Sequence, residues 1–143
     1  MPSFLKTGNI EHIIGEDARI LRKGAHALHE YGLTRQMVRI VNDAAAAHHV
    51  ARVNAAFLVV GENTGIIPDS LPLYFGMIAK GTPAEGATLH VRVVKAEMRC
   101  PHCGKNFRRP RFSFACPVCG ALGSPTGIGN ECYVESVELE EST

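Results

Sequence analysis

The chain has 143 residues and a mass of 15.5 kDa, with 45% of residues apolar and 20% charged, the composition of one soluble globular domain with at most a small appendage. Its longest uninterrupted apolar run, Ala55 to Val60, falls far short of the roughly 20 residues a membrane-spanning helix needs, and the first 30 residues break each short apolar stretch with charge. Neither a membrane span nor a secretory leader is expected, which places the chain in the cytoplasm. Fifteen Lys and Arg against fourteen Asp and Glu leave a formal charge of +1, which argues against a protein whose whole surface is built for nucleic acid.

Residues 1–27 read as an extension of mixed charge, with a short helix expected from Glu16 to Ala27. From Leu33 the apolar positions fall at Leu33, Met37, Ile40, Val41 and Ala44, and His48 continues that face. This is the spacing of an amphipathic helix, with Thr34 available near its start as a cap. Val53 to Glu62 is rich in β-branched and aromatic residues and reads as a buried strand, closed by the turn Asn63-Thr64-Gly65. Pro68, Asp69 and Ser70 open a second helix over 70–80, with Leu71, Phe75 and Ile78 as its face and Gly81 as its stop. Thr88 to Arg99 alternates Leu89, Val91 and Val93 against His90, Arg92 and Lys95, the pattern of one half-buried strand. Cys132 to Leu139 reads as a last strand, followed by a glutamate-rich tail. The Cys132 side chain serves there as a small buried hydrophobe.

Between these last two strands lie four cysteines. Cys100, Cys103, Cys116 and Cys119 form C-x2-C-x12-C-x2-C, a spacing that lets four thiolates converge on one tetrahedral ion at about 2.3 Å. In a cytoplasmic chain that pattern indicates structural zinc, with rubredoxin-like iron using the same ligands and disulfides as the weakest alternative. Each knuckle carries Pro after its first cysteine, Pro101 and Pro117, and Gly after its second, Gly104 and Gly120, as a tight turn around the sulfurs requires. His102 lies within the first knuckle but four thiolates already close the shell. The element order implies an α+β domain, two helices on a small antiparallel or mixed sheet, into which a zinc-knuckle module is inserted. The boundaries that follow are 1–27 for the extension, 28–99 plus 131–143 for the α/β body, and 100–130 for the zinc-binding segment.

The run LHEYGLTRQMVRIV (28 to 41), the run VGENTGIIPDSLPLYFGMIAKGTPAEGATLHV (60 to 91), the paired knuckles and the closing CYVESVELE (132 to 140) together resemble the HypA/HybF nickel metallochaperones. Proteins of this family help mature [NiFe]-hydrogenases and, in some organisms, urease. The resemblance spans residues 28 to about 140 and implies an α/β nickel domain with a zinc domain set into it. It also implies nickel held by a free terminal amine, backbone nitrogens and an imidazole, positions that match His29 and Glu30, the latter through its backbone nitrogen. Such a donor set suits Ni(II), because a low-spin d8 ion favours four strong in-plane nitrogens. The family's chain starts at the residue before that histidine, whereas here position 28 is Leu and 27 residues precede it. Three readings stay open: an altered site in which His26 joins His29 at i, i+3 spacing, a true start at position 28 with methionine, or loss of nickel binding in a zinc-bearing subunit of a larger enzyme complex.

The resemblance further implies a hydrogenase large subunit and a nickel-handling GTPase as partners and Ni2+ as transient cargo, beside the structural Zn2+ that the cysteine spacing indicates; a second copy of the chain is a further candidate partner. Other residues point less sharply. His48 and His49 close the first helix, where imidazolium complements the dipole. Lys105, Arg108, Arg109 and Arg111 interleave with Phe107, Phe112 and Phe114, a pattern shared with nucleic-acid-binding zinc ribbons, although the cations also balance the net −2 of a zinc tetrathiolate and the phenylalanines can pack the knuckles. No nucleophile with a base, no phosphate loop and no paired carboxylates are legible, so catalysis by this chain alone is not expected.

Overall fold

A computed structural model describes residues 30–110 and 112–140, and the helix expected from Glu16 to Ala27 lies outside them. The described chain divides into two compact units, one of residues 30–59, 67–92 and 132–140, the other of 60–66 and 93–131.

The first unit is a helical pair on a sheet. Helix α1 (Glu30–Ala47) buries Leu33, Met37, Val38, Val41 and Ala45 at the expected three-and-four spacing. Thr34 is not its cap: the helix starts four residues earlier, so Thr34 is fully buried within it and its hydroxyl donates back to the Glu30 carbonyl at 2.7 Å. At the other end His49 takes a left-handed conformation, φ 57°, and the Val50 N–H reaches back to the Ala45 carbonyl at 2.9 Å, closing the helix in the manner of a Schellman turn. Strand β1 (Val53–Gly61) is buried along nearly its whole length because it is the middle strand, flanked by β2 (Thr88–Val94) and β6 (Cys132–Leu139). Strand β6 runs antiparallel to β1, since Glu140 N–H bonds the Arg52 carbonyl at 3.0 Å and Gly61 N–H bonds the Glu131 carbonyl at 2.7 Å. On the β2 side Phe57 stacks flat on His90, ring centroids 4.6 Å apart. Between β1 and β2 the chain passes through α2 (Leu71–Ile78), entered by a 3-10 turn at Pro68–Ser70 that absorbs the proline where no helical N–H is needed. Leu71 and Phe75 point inward and pack the unit's core. Cys132 is buried on β6, as a small hydrophobe would be.

The second unit departs from the expected pattern. The segment read as one strand over Thr88–Arg99 is two strands in two sheets: β2 ends at Val94, and β3 (Glu97–Arg99) begins a separate antiparallel sheet with β4 (Asn106–Arg108) and β5 (Ser124–Pro125). The break has a physical cause at Ala96, whose N–H is taken by the Glu62 carboxylate at 2.8 Å and whose carbonyl accepts from Arg109 N–H at 3.1 Å. Both of its backbone groups are thus satisfied outside a strand ladder.

Close backbone approach fixes Gly61. Its φ of −84° is ordinary, but a Cβ there would fall inside the Gly129 carbonyl group and 2.7 Å from the Glu131 nitrogen. Gly61→Ala is expected to cost about 3 kcal/mol, seen as a lower midpoint in urea denaturation. Gly76→Ala, on an exposed turn of α2 with nothing within 4 Å of the added carbon, should instead stabilise by about 1 kcal/mol.

Candidate metal centre

The two knuckles are built alike from the backbone upward. In the first, Cys100 N–H bonds the Lys105 carbonyl at 2.9 Å, Gly104 N–H bonds the Cys100 carbonyl at 2.8 Å, and Cys103 N–H points at the Cys100 sulfur at 3.4 Å. In the second, Cys116 N–H bonds the Ala121 carbonyl at 2.8 Å, Gly120 N–H bonds the Cys116 carbonyl at 2.8 Å, and Val118 N–H points at the Cys116 sulfur at 3.4 Å. Gly104 and Gly120 hold φ of 75° and 80°, the left-handed conformation that lets each turn close without a Cβ penalty. Tight closure brings all four sulfurs within 4.8 Å of one another, with Cys100 to Cys119 at 3.4 Å and Cys103 to Cys116 at 3.8 Å. A regular tetrahedron with metal–sulfur bonds of about 2.3 Å has edges of about 3.8 Å, so the four residues fit one tetrathiolate ion. None of the four is joined in a disulfide.

The electrostatics point the same way. Cys100 is drawn down to about 6, chiefly by the Cys103 N–H and against the opposing effect of burial. Cys116 is also lowered, first by the Cys119 N–H. The Ala121 N–H pulls Cys119 down as well, but the Cys100 sulfur, burial and the Cys116 sulfur together push it up to about 11. One thiolate forms readily and the last resists, as four like groups in one place must. A bound dication removes that resistance by neutralising the accumulating charge.

His102 is exposed and is not part of the cluster. Of the three phenylalanines expected to pack the knuckles, Phe107 does so, against Gly123 and Met98, whereas Phe112 and Phe114 are exposed. Phe112 stands 96% exposed at φ 60°, and the Arg109 guanidinium lies 5.6 Å from the Phe114 ring centre. With Lys95 and Arg108 they border a concavity of about 740 Å3 to which Glu62 also contributes, so the interleaved segment read from the sequence is joined there by Lys95 and Glu62, which no local pattern announced. Arg111 falls outside the described residues.

At the other candidate site only part of the constellation is described, since His26 and His29 precede the described residues. Glu30 is the first described residue of α1. Its carboxylate is used structurally, accepting from the Ile67 N–H at 3.2 Å. His48 and His49 join no cluster of metal-ligating side chains among the described residues.

A protein-family model described as hydrogenase/urease nickel incorporation, metallochaperone, hypA, matches residues 28–139. The hydrogenase maturation factor HypA of Caldanaerobacter subterraneus subsp. tengcongensis is 39% identical over 114 residues, covering 79% of this chain and 100% of that protein. Its counterpart from Desulfitobacterium hafniense is 37% identical over 114 residues, covering 80% of this chain and 100% of the relative. Among solved structures, the solution structure of the Ni metallochaperone HypA from Helicobacter pylori superposes with a TM-score of 0.54 at 18% identity, over 80% of this chain and 100% of that one, a likeness of fold.

Proposed function

This chain belongs to the HypA family of nickel-incorporation metallochaperones, and on that premise we propose that it binds Ni(II) at the start of α1 and delivers it during maturation of [NiFe]-hydrogenase. The observation that carries the reading is the match of the family model from residue 28 to residue 139, nearly the whole of the described chain. His29 supplies the imidazole and Glu30 its backbone nitrogen. The chemistry of the donors supports this assignment, since an imidazole and a backbone nitrogen are among the strong in-plane donors that Ni(II) favours.

The tetrathiolate holds zinc as a permanent structural ion. Its four thiolates fill the coordination shell and leave no position for cargo, which divides the labour between a closed site that fixes shape and an open one that exchanges ligands. Transfer proceeds by replacing the nickel's donors one at a time with those of the acceptor. The acceptor is a hydrogenase large subunit, and a nickel-handling GTPase works beside it in the cytoplasm. The chain itself supplies binding and handover and catalyses no covalent step.

Calorimetric titration with Ni(II) tests the assignment. His29→Ala should weaken binding at least tenfold while leaving the cysteine-bound metal in place, and nickel should pass from the parent chain to a nickel-free large subunit but not from this variant. Unchanged nickel affinity in His29→Ala would overturn the reading.

A further inference from the structure

The concavity bordered by Lys95, Arg108, Arg109, Phe112 and Phe114 lies wholly within the second unit and is held by backbone bonds. Ala96 ties two of its lining residues together, since its N–H donates to the Glu62 carboxylate at 2.8 Å and its carbonyl accepts from the Arg109 N–H at 3.1 Å. The segment carrying the rings is fixed as well. Ser113 N–H bonds the Pro110 carbonyl at 3.2 Å, Ala115 N–H bonds the Ser113 hydroxyl at 3.0 Å, and the Phe114 carbonyl accepts from the Gly123 N–H at 2.8 Å. At about 740 Å3 the space has the size of a ligand site.

Its positive charge is not answered from within. Among the described residues the ion pair that forms is Arg92 with Glu135, in the first unit, so the charged groups of Lys95, Arg108 and Arg109 have no carboxylate partner there. Glu62 shares the lining, but its carboxylate is engaged by the Ala96 N–H. A metal tetrathiolate of net −2 does not absorb the excess either, because the second unit carries six Lys and Arg against only three Glu. The rings beside these cations are exposed rather than packed in a core. The Arg109 guanidinium lies over the Phe114 ring, and such stacking sets the plane of its fork while leaving N–H groups at the edge for an oxygen acceptor.

We propose that this concavity binds an acidic peptide segment of a partner protein, its carboxylates on Lys95, Arg108 and Arg109 and an apolar side chain against Phe112 and Phe114. Arginine forks take carboxylates through paired, charge-assisted hydrogen bonds, and the rings supply the apolar contact that a bare anion site lacks. Single-stranded nucleic acid also combines cations with stacked rings, but two observations favour the peptide. Glu62 sets a fixed carboxylate into the lining: a peptide can place an uncharged residue opposite it, whereas a phosphodiester chain carries charge at every unit. The chain as a whole is close to neutral, at +1, and exerts little long-range pull on a polyanion. The inference does not rest on nickel binding, and its test uses the zinc-loaded 143-residue chain without nickel.

The probe is a short fluorescent peptide of glutamates flanking one phenylalanine, followed by anisotropy. Saturable binding is expected, weakened about tenfold or more when glutamine replaces the glutamates and by a similar factor in Arg108→Glu with Arg109→Glu. Phe112→Gly should weaken it several-fold with the zinc retained. Glycine adopts the φ of 60° found there without steric cost, so this variant separates a lost contact from a lost fold. His29→Ala should bind the peptide as the parent chain does, which keeps failure of the nickel reading distinct from failure of this one. Absence of saturable binding, equal binding of the glutamine peptide, or binding insensitive to both the arginine and the Phe112 substitutions would overturn the proposal. Tighter binding of oligouridylate than of the glutamate peptide would assign the concavity to nucleic acid and overturn it as well.

Discussion

Cys116→Ser is expected to lower the tightly bound zinc from about one ion per chain to almost none, and to unfold much of the second unit while leaving the first intact. The magnitude follows from how little else holds that unit together. Among its described residues the buried apolar side chains beyond the cysteines reduce to Val60, Ala96 and Met98, and β3, β4 and β5 are only three, three and two residues long. Against this, a structural zinc tetrathiolate contributes about 10 kcal/mol or more of folding free energy, so the knuckle segment has no comparable substitute. The first unit differs: Leu33, Met37, Val41, Leu58, Val59, Leu71, Val134 and Val137 are all essentially inaccessible to solvent. Metal analysis combined with hydrogen exchange separates the two outcomes. Protection should vanish over 97–125 and persist in α1, β1 and β6. Full metal retention in Cys116→Ser and in Cys119→Ser alike would show that the four sulfurs do not share an ion.

Acidification should release the same ion, and the sign is set by the thiols. Metal binds the thiolate form and protons compete for it, so affinity falls as pH falls. The Cys103 N–H draws the Cys100 thiol down to about 6, whereas the metal must displace a proton from Cys119, pushed up to about 11 by its neighbours. Release is therefore expected to take up more than one proton per ion and to steepen below neutral pH, a dependence that a colorimetric zinc chelator can follow.

The parts of this architecture that were legible in the sequence share one property: their cause is local. Gly104 and Gly120 announce the knuckle turns because only a residue without Cβ closes them at positive φ, and the apolar spacing of Leu33, Met37 and Val41 announces α1 because the helix period writes itself into the chain. What was hidden depends on residues far apart. The break between β2 and β3 is made by Glu62, thirty-four residues before the Ala96 it binds, and the carboxylate of Glu30 is spent on Ile67, thirty-seven residues away. Strands of two and three residues carry no readable period at all, so the β3–β4–β5 sheet had no signature beyond the cysteines it supports. Phe112 and Phe114 are exposed, and the sequence around them left both outcomes open, since the interleaved cations fit an exposed surface as well as a charge-balanced knuckle packed by the rings.

A chain that begins at position 28, with methionine in place of Leu28, is expected to bind Ni(II) at least a hundredfold more tightly than the 143-residue chain and to acquire the yellow absorption of a square-planar d8 ion. The difference is one donor. In the longer chain the nitrogen of residue 28 belongs to a peptide bond, and the strong neutral donors left are the imidazoles of His26 and His29. In the shorter one it is an amine, which joins the backbone nitrogens of His29 and Glu30 and the His29 imidazole to complete a plane of four nitrogens. The two amides must lose protons, so binding in the shorter chain should weaken more steeply with falling pH than imidazole coordination alone predicts. His29→Ala should abolish the site in the short chain, and His26→Ala can matter only in the long one. Equal and tight binding by both chains would transfer the site to the His26 and His29 pair and make the amine dispensable. Absence of tight binding in both would remove nickel from this chain's role and leave a HypA-like body whose metal is the tetrathiolate ion alone.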